Sequence, residues 1–169
     1  IYLWHNMTHN PLAASPAFKG KSQNGLYGDA TEELDWSVGV LLETLKEEGL
    51  DQNTLIIFTS DNGADEHFGG TNRPLRGQKG TTYEGGFRVP CIMRWPAKIP
   101  AGQETDNLVT SMDFLPTLAH YCGYAVPSDR VIDGHNVSGI LEGESMASPT
   151  ETFYYYQKQQ LQAVRWGNW

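Results

Sequence analysis

The chain has 169 residues, 39% hydrophobic and 19% charged, with twelve basic against twenty acidic side chains and a formal net charge of -8. That length is enough for one domain with a core, and the composition suits a globular rather than a disordered chain. The acidic balance argues against a nucleic-acid binder, which would carry a basic stripe, and no run approaches the ~18 apolar residues of a membrane span.

Residues 1–4, IYLW, read as a short buried strand entered in mid-course, so the sequence is expected to be a piece of something longer. The polar run HNMTHNP follows at its C-terminal end, and residues 10–28 are loop-like, rich in Pro, Gly, Ser and Asn. Asp29 is placed as the N-cap of a helix, with Glu32 completing a capping-box start. Leu34, Val38, Leu41, Leu42 and Leu45 share one face of that helix at helical spacing, and Gly49 suits its C′ position. Residues 54–59, TLIIFT, form the next strand. It ends abruptly at Asp61-Asn62-Gly63.

Asn-Gly is a strong hairpin signal, because both residues tolerate positive φ. A hairpin needs a second alternating apolar run, however, and the chain continues instead into a long polar, glycine-rich loop. Beyond it RVPCIMRWP reads as another buried strand. SMDFLPTLAHYCG reads as a helix capped by Ser111, with Met112, Leu115, Leu118 and Ala119 inward and Pro116 near its start. VSGILEGE is a short turn or helix, and FYYY with LQAVRW is expected to form an antiparallel pair around QKQQ. The two cysteines, Cys91 and Cys122, lie in apolar surroundings outside any C-x-x-C pair and are expected to be buried free thiols.

Strand, helix, strand, loop, strand, helix is the rhythm of an α/β sheet covered by helices, in which chemistry gathers at the C-terminal strand ends. HNMTHN and D-N-G both lie there. Asp61 and Asn62 offer a carboxylate and an amide carbonyl, the oxygen ligands of hard cations, though two are too few alone. Lys79, between glycines in RGQKGTTYEGG, is either a solvated loop lysine or a cation placed on an oxyanion. His9 is either a polar loop residue or a general acid or anion donor, with His5 and His67 less well placed.

Taken together, GLYGDATEELDWSVGVLLETLKEEGLDQNTLIIFTSDNG and NRPLRGQKGTTYEGGFRVPCIMRWPAKIPAG resemble type I sulfatases of the arylsulfatase group, especially enzymes like arylsulfatase A and N-acetylgalactosamine-6-sulfatase. SMDFLPTLAHYCG and PSDRVIDGHNVSGIL continue the resemblance, and KGTTYEGG is its most specific block. It implies an α/β fold, part of an alkaline-phosphatase-like mixed sheet flanked by helices with a short antiparallel C-terminal strand pair. Residues 1–150 would be the C-terminal part of the α/β domain, and 151–169 the start of an antiparallel subdomain. By the same resemblance Asp61 and Asn62 are metal ligands, for Ca²⁺ or else Mg²⁺. Lys79 and His9 contact the sulfate group, His9 near the leaving oxygen, and Glu84 and Arg88 brace the loop. The 52 residues that separate His9 from Asp61 fit the group's spacing.

The group's nucleophile is a formylglycine made in a C-x-P-x-R pattern or a serine variant, and neither cysteine nor any serine here supplies one. It is therefore expected upstream, together with the remaining metal ligands. The isolated chain is expected to be inactive, with a weak metal site and open sheet edges that invite pairing with the missing N-terminal half or self-association. The parent enzyme is expected to be a sulfuric ester hydrolase acting on a sulfated small molecule or glycan. The alternatives are a phosphodiesterase or phosphonate hydrolase of the same superfamily and a non-catalytic binding domain that kept the fold. A secreted, periplasmic or lysosomal location follows by analogy, with which two sequons, at Asn6 and Asn136, are compatible.

Overall fold

In a computed structural model of the chain, residues 1–144 and 147–169 are described. They form two compact units, residues 1–52 with 59–91 and residues 53–58 with 92–169.

The first unit is built on α1 (Gly25–Glu47). The helix starts after Asn24, a turn earlier than the expected cap at Asp29. Asp29 instead sits buried inside the first turns, where its carboxylate accepts N–H bonds from Gly20 (2.7 Å), Lys21 (3.0 Å) and Ser22 (2.8 Å). A residue with good capping chemistry thus satisfies the preceding loop rather than its own helix. A Cβ at Gly28 would strike the Ser22 side chain, so loop and helix approach too closely for anything larger. At the other end Gly49, with φ 70°, donates to Lys46 O while Leu50 N–H reaches Leu45 O at 2.8 Å, a Schellman stop. Leu34, Val38, Leu42 and Leu45 are half-buried, whereas Leu41 is exposed.

Hydrogen bonds from Gly20 first and Ser22 next hold the Asp29 carboxyl below its usual range. A depressed folded-state pKa stabilises the fold above the unfolded carboxylate value and loses that contribution as pH falls through the folded one. Asp29→Asn is therefore expected to lower the urea midpoint at neutral pH and to flatten its decline in acid below the ordinary aspartate range. Urea titrations of both proteins at neutral and acidic pH check this. Parallel pH profiles would remove Asp29 from the account.

Residues 1–4 are not a strand. Ile1, Tyr2, Leu3 and Trp4 are 123%, 84%, 58% and 83% exposed, and none of the described strands pairs with them. β-branched and aromatic composition favours extension, but a strand exists only through its ladder.

In the second unit β1 (Ile56–Thr59) and β2 (Cys91–Arg94), both mostly within it, form a two-stranded sheet. Leu55, Ile57 and Met93 close around one small gap with Phe114 and Leu118 of α3 (Phe114–Tyr121) and Leu141 of α4 (Ser138–Leu141), and this is where the apolar core lies. Trp95, Val137, Ile140 and Tyr155 are its buried apolar members. β2 is shorter and less buried than expected, with Ile92 63% exposed. Both cysteines are free and exposed rather than buried. Burial of the thiol itself still pushes the Cys91 pKa up, against an opposing hydrogen bond with the Thr59 side chain, which makes it a poor nucleophile.

The start of α3 also departs from expectation. Thr110, not Ser111, forms a capping box with Asp113 ahead of a short 3₁₀ turn at Ser111–Asp113. Asp113, Pro116 and Thr117 point inward, while Met112 and Leu115 are 45% and 54% exposed. Pro116 is harmless in the first turn, where its missing N–H has no partner to lose. β3 (Thr152–Gln157) and β4 (Gln160–Trp166) form the expected antiparallel pair, closed by Lys158 at φ 55° and Gln159. A bulge lies between Tyr155 and Tyr156. No helix among the described residues is long and apolar enough to cross a membrane.

Candidate functional site

β1 delivers the chain to Ser60-Asp61-Asn62-Gly63. The Ser60 hydroxyl donates to Asn62 O and the Asn62 Nδ2 to Gly63 O, both at 3.0 Å. The second bond commits the amide nitrogen and leaves Asn62 Oδ1 as the oxygen available to a ligand. Asp61 is exposed.

Gly63 does not open a hairpin. Its N–H donates to Gly86 O at 3.0 Å, and a Cβ on Gly63 would collide with the Gly85 carbonyl. The glycine of D-N-G is required by this close backbone approach. The next residue, Ala64, is held three ways. Its N–H reaches Asn72 Oδ1 at 2.7 Å, and its carbonyl accepts from Asn72 Nδ2 at 2.9 Å and from Lys79 N–H at 3.1 Å.

The Lys79 segment is closed on itself as tightly. Gly85 N–H donates to Arg76 O and Gly86 N–H to Tyr83 O, each at 2.8 Å. Cβ atoms on Gly85 and Gly86 would strike the Gly77 and Thr81 carbonyls. α2 (Glu84–Phe87) follows, with Arg88 N–H closing it onto Glu84 O at 2.7 Å, and the Arg76 guanidinium lies 4.0 Å over the Tyr83 ring. Asp61, Asn62 and Lys79 thus project from two segments joined backbone to backbone.

Lys79 is half-buried. Its charge is one of the weaker influences holding the Asp65 carboxyl below its usual value, after the hydrogen bonds from His67. His67 is engaged with Asp65, Nδ1 to Oδ1 at 2.9 Å, and His5 Nε2 lies 3.4 Å from Ser37 Oγ.

His9 lies on a separate segment of the same unit. Its N–H donates to Asn6 O at 3.1 Å and its Nδ1 lies 3.0 Å from Asn10 O. A carbonyl oxygen only accepts, so the proton sits on Nδ1 and Nε2 is left for another partner. Among the described residues no hydrogen bond joins His9 to Asp61, Asn62 or Lys79. The structure therefore brings three of the four expected site residues onto one scaffold and leaves the fourth, His9, on a separate segment of the same unit.

Asp61 and Asn62 have the hard oxygen donors that suit calcium or magnesium, but they fill only part of a shell of about six to eight ligands. No group of three or more His, Cys, Asp or Glu among the described residues completes it. Sequence reasoning missed Asn72 and Gln78, whose Oε1 accepts from Glu66 N–H at 3.0 Å. The one signal for Asn72 was a side-chain amide, donor and acceptor together, in the glycine- and proline-flanked GGTNRP.

The Sulfatase family model matches residues 1–124. Steryl-sulfatase of Homo sapiens is 47% identical over 166 residues, 94% of this chain and 28% of that protein. N-acetylgalactosamine-6-sulfatase of Canis lupus familiaris is 41% identical over 173 residues, 100% of this chain and 33% of that protein. Among solved structures, PsFucS1 sulfatase from Pseudoalteromonas sp. superposes with a TM-score of 0.88 at 37% identity, over 95% of this chain and 33% of that one. The chain thus spans 28% to 33% of the length of these relatives. Its elements are part of an alkaline-phosphatase-like α/β fold, as the structural match bears out. By sequence, by fold and by the D-N-G and KGTTYEGG segments that meet in its loops, the chain belongs to the sulfatase family.

Proposed function

We propose that these residues are the C-terminal part of a sulfate-ester hydrolase acting on an aryl sulfate or a sulfated sugar, with 1–150 in its α/β domain and 151–169 opening an antiparallel subdomain. The observation that carries this reading is the junction at Ala64, where Lys79 N–H meets the carbonyl two residues beyond Asn62. It gives a cation and a pair of hard oxygen donors one common support.

Asp61 and Asn62 Oδ1 hold a divalent cation, calcium or alternatively magnesium. When bound, that ion supplies positive charge to the sulfate oxygens. Lys79 sets its ammonium on the same oxygens, a contact that strengthens as charge develops there. His9, with its Nδ1 proton directed at the Asn10 carbonyl, uses Nε2 toward the sulfate or the leaving oxygen and, when protonated, gives up its proton there. No C-x-P-x-R or S-x-P-x-R occurs in the 169 residues, so the formylglycine nucleophile and the remaining ion ligands come from polypeptide outside them. The isolated chain does not turn over sulfate esters. The protein works in a secreted, periplasmic or lysosomal setting, on a sulfated small molecule or glycan of the kind named in its relative N-acetylgalactosamine-6-sulfatase.

Calorimetric titration with calcium, run beside a nitrophenyl sulfate assay, tests this. The chain is expected to bind calcium more weakly than micromolar, to lose that binding on Asp61→Ala, and to release no nitrophenol. Micromolar affinity or turnover would show that the 169 residues hold a complete site. Binding unchanged by Asp61→Ala would remove D-N-G as the ligand.

A further inference from the structure

Asn72 belongs to none of the groups that touch ion or sulfate in the proposed site, yet among the described residues its side chain alone grips Ala64 at both backbone atoms. Its Oδ1 accepts the Ala64 N–H at 2.7 Å and its Nδ2 donates to the Ala64 carbonyl at 2.9 Å. The same carbonyl takes the Lys79 N–H at 3.1 Å, so one peptide oxygen carries both the clamp and the lysine segment. Asn72 Oδ1 also lies 3.1 Å from where a Gly63 Cβ would be, so the amide is packed against the tip of D-N-G. The last residue of the tip is tied to the lysine loop as well, through Gly63 N–H, which donates to Gly86 O at 3.0 Å. One such bond leaves a hinge, and a two-point grip on the adjoining residue removes it.

We propose that Asn72 is a positioning residue, which fixes the ion-binding tip Asp61-Asn62 at a set distance from Lys79 by bracketing Ala64. This rests on the proposed function for what the tip holds, but the bracketing itself does not depend on it. Only an amide serves, because the grip needs an acceptor and a donor on one planar group. An aspartate keeps the acceptor for Ala64 N–H but sets a second oxygen against the Ala64 carbonyl, and an alanine keeps neither. The two variants therefore separate a clamp from simple packing.

The experiment is residue-resolved hydrogen exchange on the chain, its N72A and its N72D variants, followed by calcium titration watched through the backbone amide NMR shifts. In N72A exchange at both Ala64 and Lys79 is expected to rise about tenfold or more. In N72D Ala64 stays protected while Lys79 exchanges faster. The Leu50 amide, bonded to Leu45 O at 2.8 Å in the same unit but away from Ala64, reports that each variant keeps that unit folded. Calcium is expected to move the Asp61, Asn62 and Lys79 amides together in the parent chain and only the first two in N72D, a decoupling that general destabilisation would not produce. Lys79 exchange unchanged in both variants, or equal loss of protection at Ala64 in both, would overturn the proposal. Should calcium move no amide near Asp61 in the parent chain, the ion reading fails, and the exchange pattern still decides the clamp. Should N72A lose protection at Leu50, N72D alone decides it.

Discussion

Gly63→Ala is expected to abolish the calcium response at Asp61 and Asn62 and to destabilise the chain by about 2–4 kcal/mol. The new methyl group would fall on the carbonyl oxygen and carbon of Gly85, which are backbone atoms and cannot rotate aside. Relief requires one of the two segments to move. Movement breaks the Gly63 N–H bond to Gly86 O and pulls Ala64 away from Asn72 and Lys79. The effect is steric, since Gly63 is not among the glycines with positive φ. Gly39→Ala is the matching control, because it lies within α1 and its Cβ meets nothing within 4 Å. That variant is expected to leave the calcium response intact and to raise the urea midpoint slightly, as alanine is the better helix former. If Gly63→Ala binds calcium as the parent does, the two segments are not rigidly joined, and the shared support for Lys79 and Asp61 is lost as an argument.

The particular residues that sequence reasoning read correctly share a physical property. Gly49 as a C′ stop and D-N-G as the abrupt end of the β1 strand each rest on a local signal, a glycine suited to positive φ or a turn-forming triplet, and such signals are visible without the rest of the fold. The C-terminal hairpin was legible for the same reason, since the runs FYYY and LQAVRW flank the short polar stretch QKQQ and pair with each other. Where the outcome depended on a distant partner, the reading failed. Asp29 has the chemistry of a cap, and only the loop at residues 20–22 decides whom it serves. Ile1–Trp4 has the composition of a strand but no ladder among the described residues. Met112 and Leu115 lie at helical spacing yet are exposed, while the polar Asp113 just ahead of α3 and Thr117 within it are buried beside Phe114 and Leu118, a choice that apolar periodicity cannot rank. Asn72 escaped notice because a clamp has no sequence period at all.

Those polar residues at the start of α3 carry the largest stability effect expected outside the site. Asp113 has no exposed surface, and its two oxygens are fully used. Oδ2 accepts from Thr110 N–H at 2.7 Å and Thr110 Oγ1 at 3.1 Å, while Oδ1 accepts from His135 N–H at 2.8 Å. The helix is thereby capped and the segment around His135 tied to it. Thr117 adds to the tie by accepting the Val137 N–H at 3.0 Å. Gly134 passes so close beneath that a Cβ there would strike the Met112 carbonyl. Asp113→Ala takes the carboxylate away from the Thr110 amide, which is half-buried, and from the amide of the exposed His135. An orphaned donor costs about 1–3 kcal/mol when fully buried and less where water reaches it, so a total loss of about 2–4 kcal/mol is expected. Asp113→Asn fills the same volume and keeps one accepting oxygen, so it is expected to lose about half as much. Urea unfolding of the two variants measures both values and their order. A loss below about 1 kcal/mol for the alanine variant would mean that water replaces the carboxylate at both amides. Asp113 would then be a local cap rather than the link between α3 and the His135 segment.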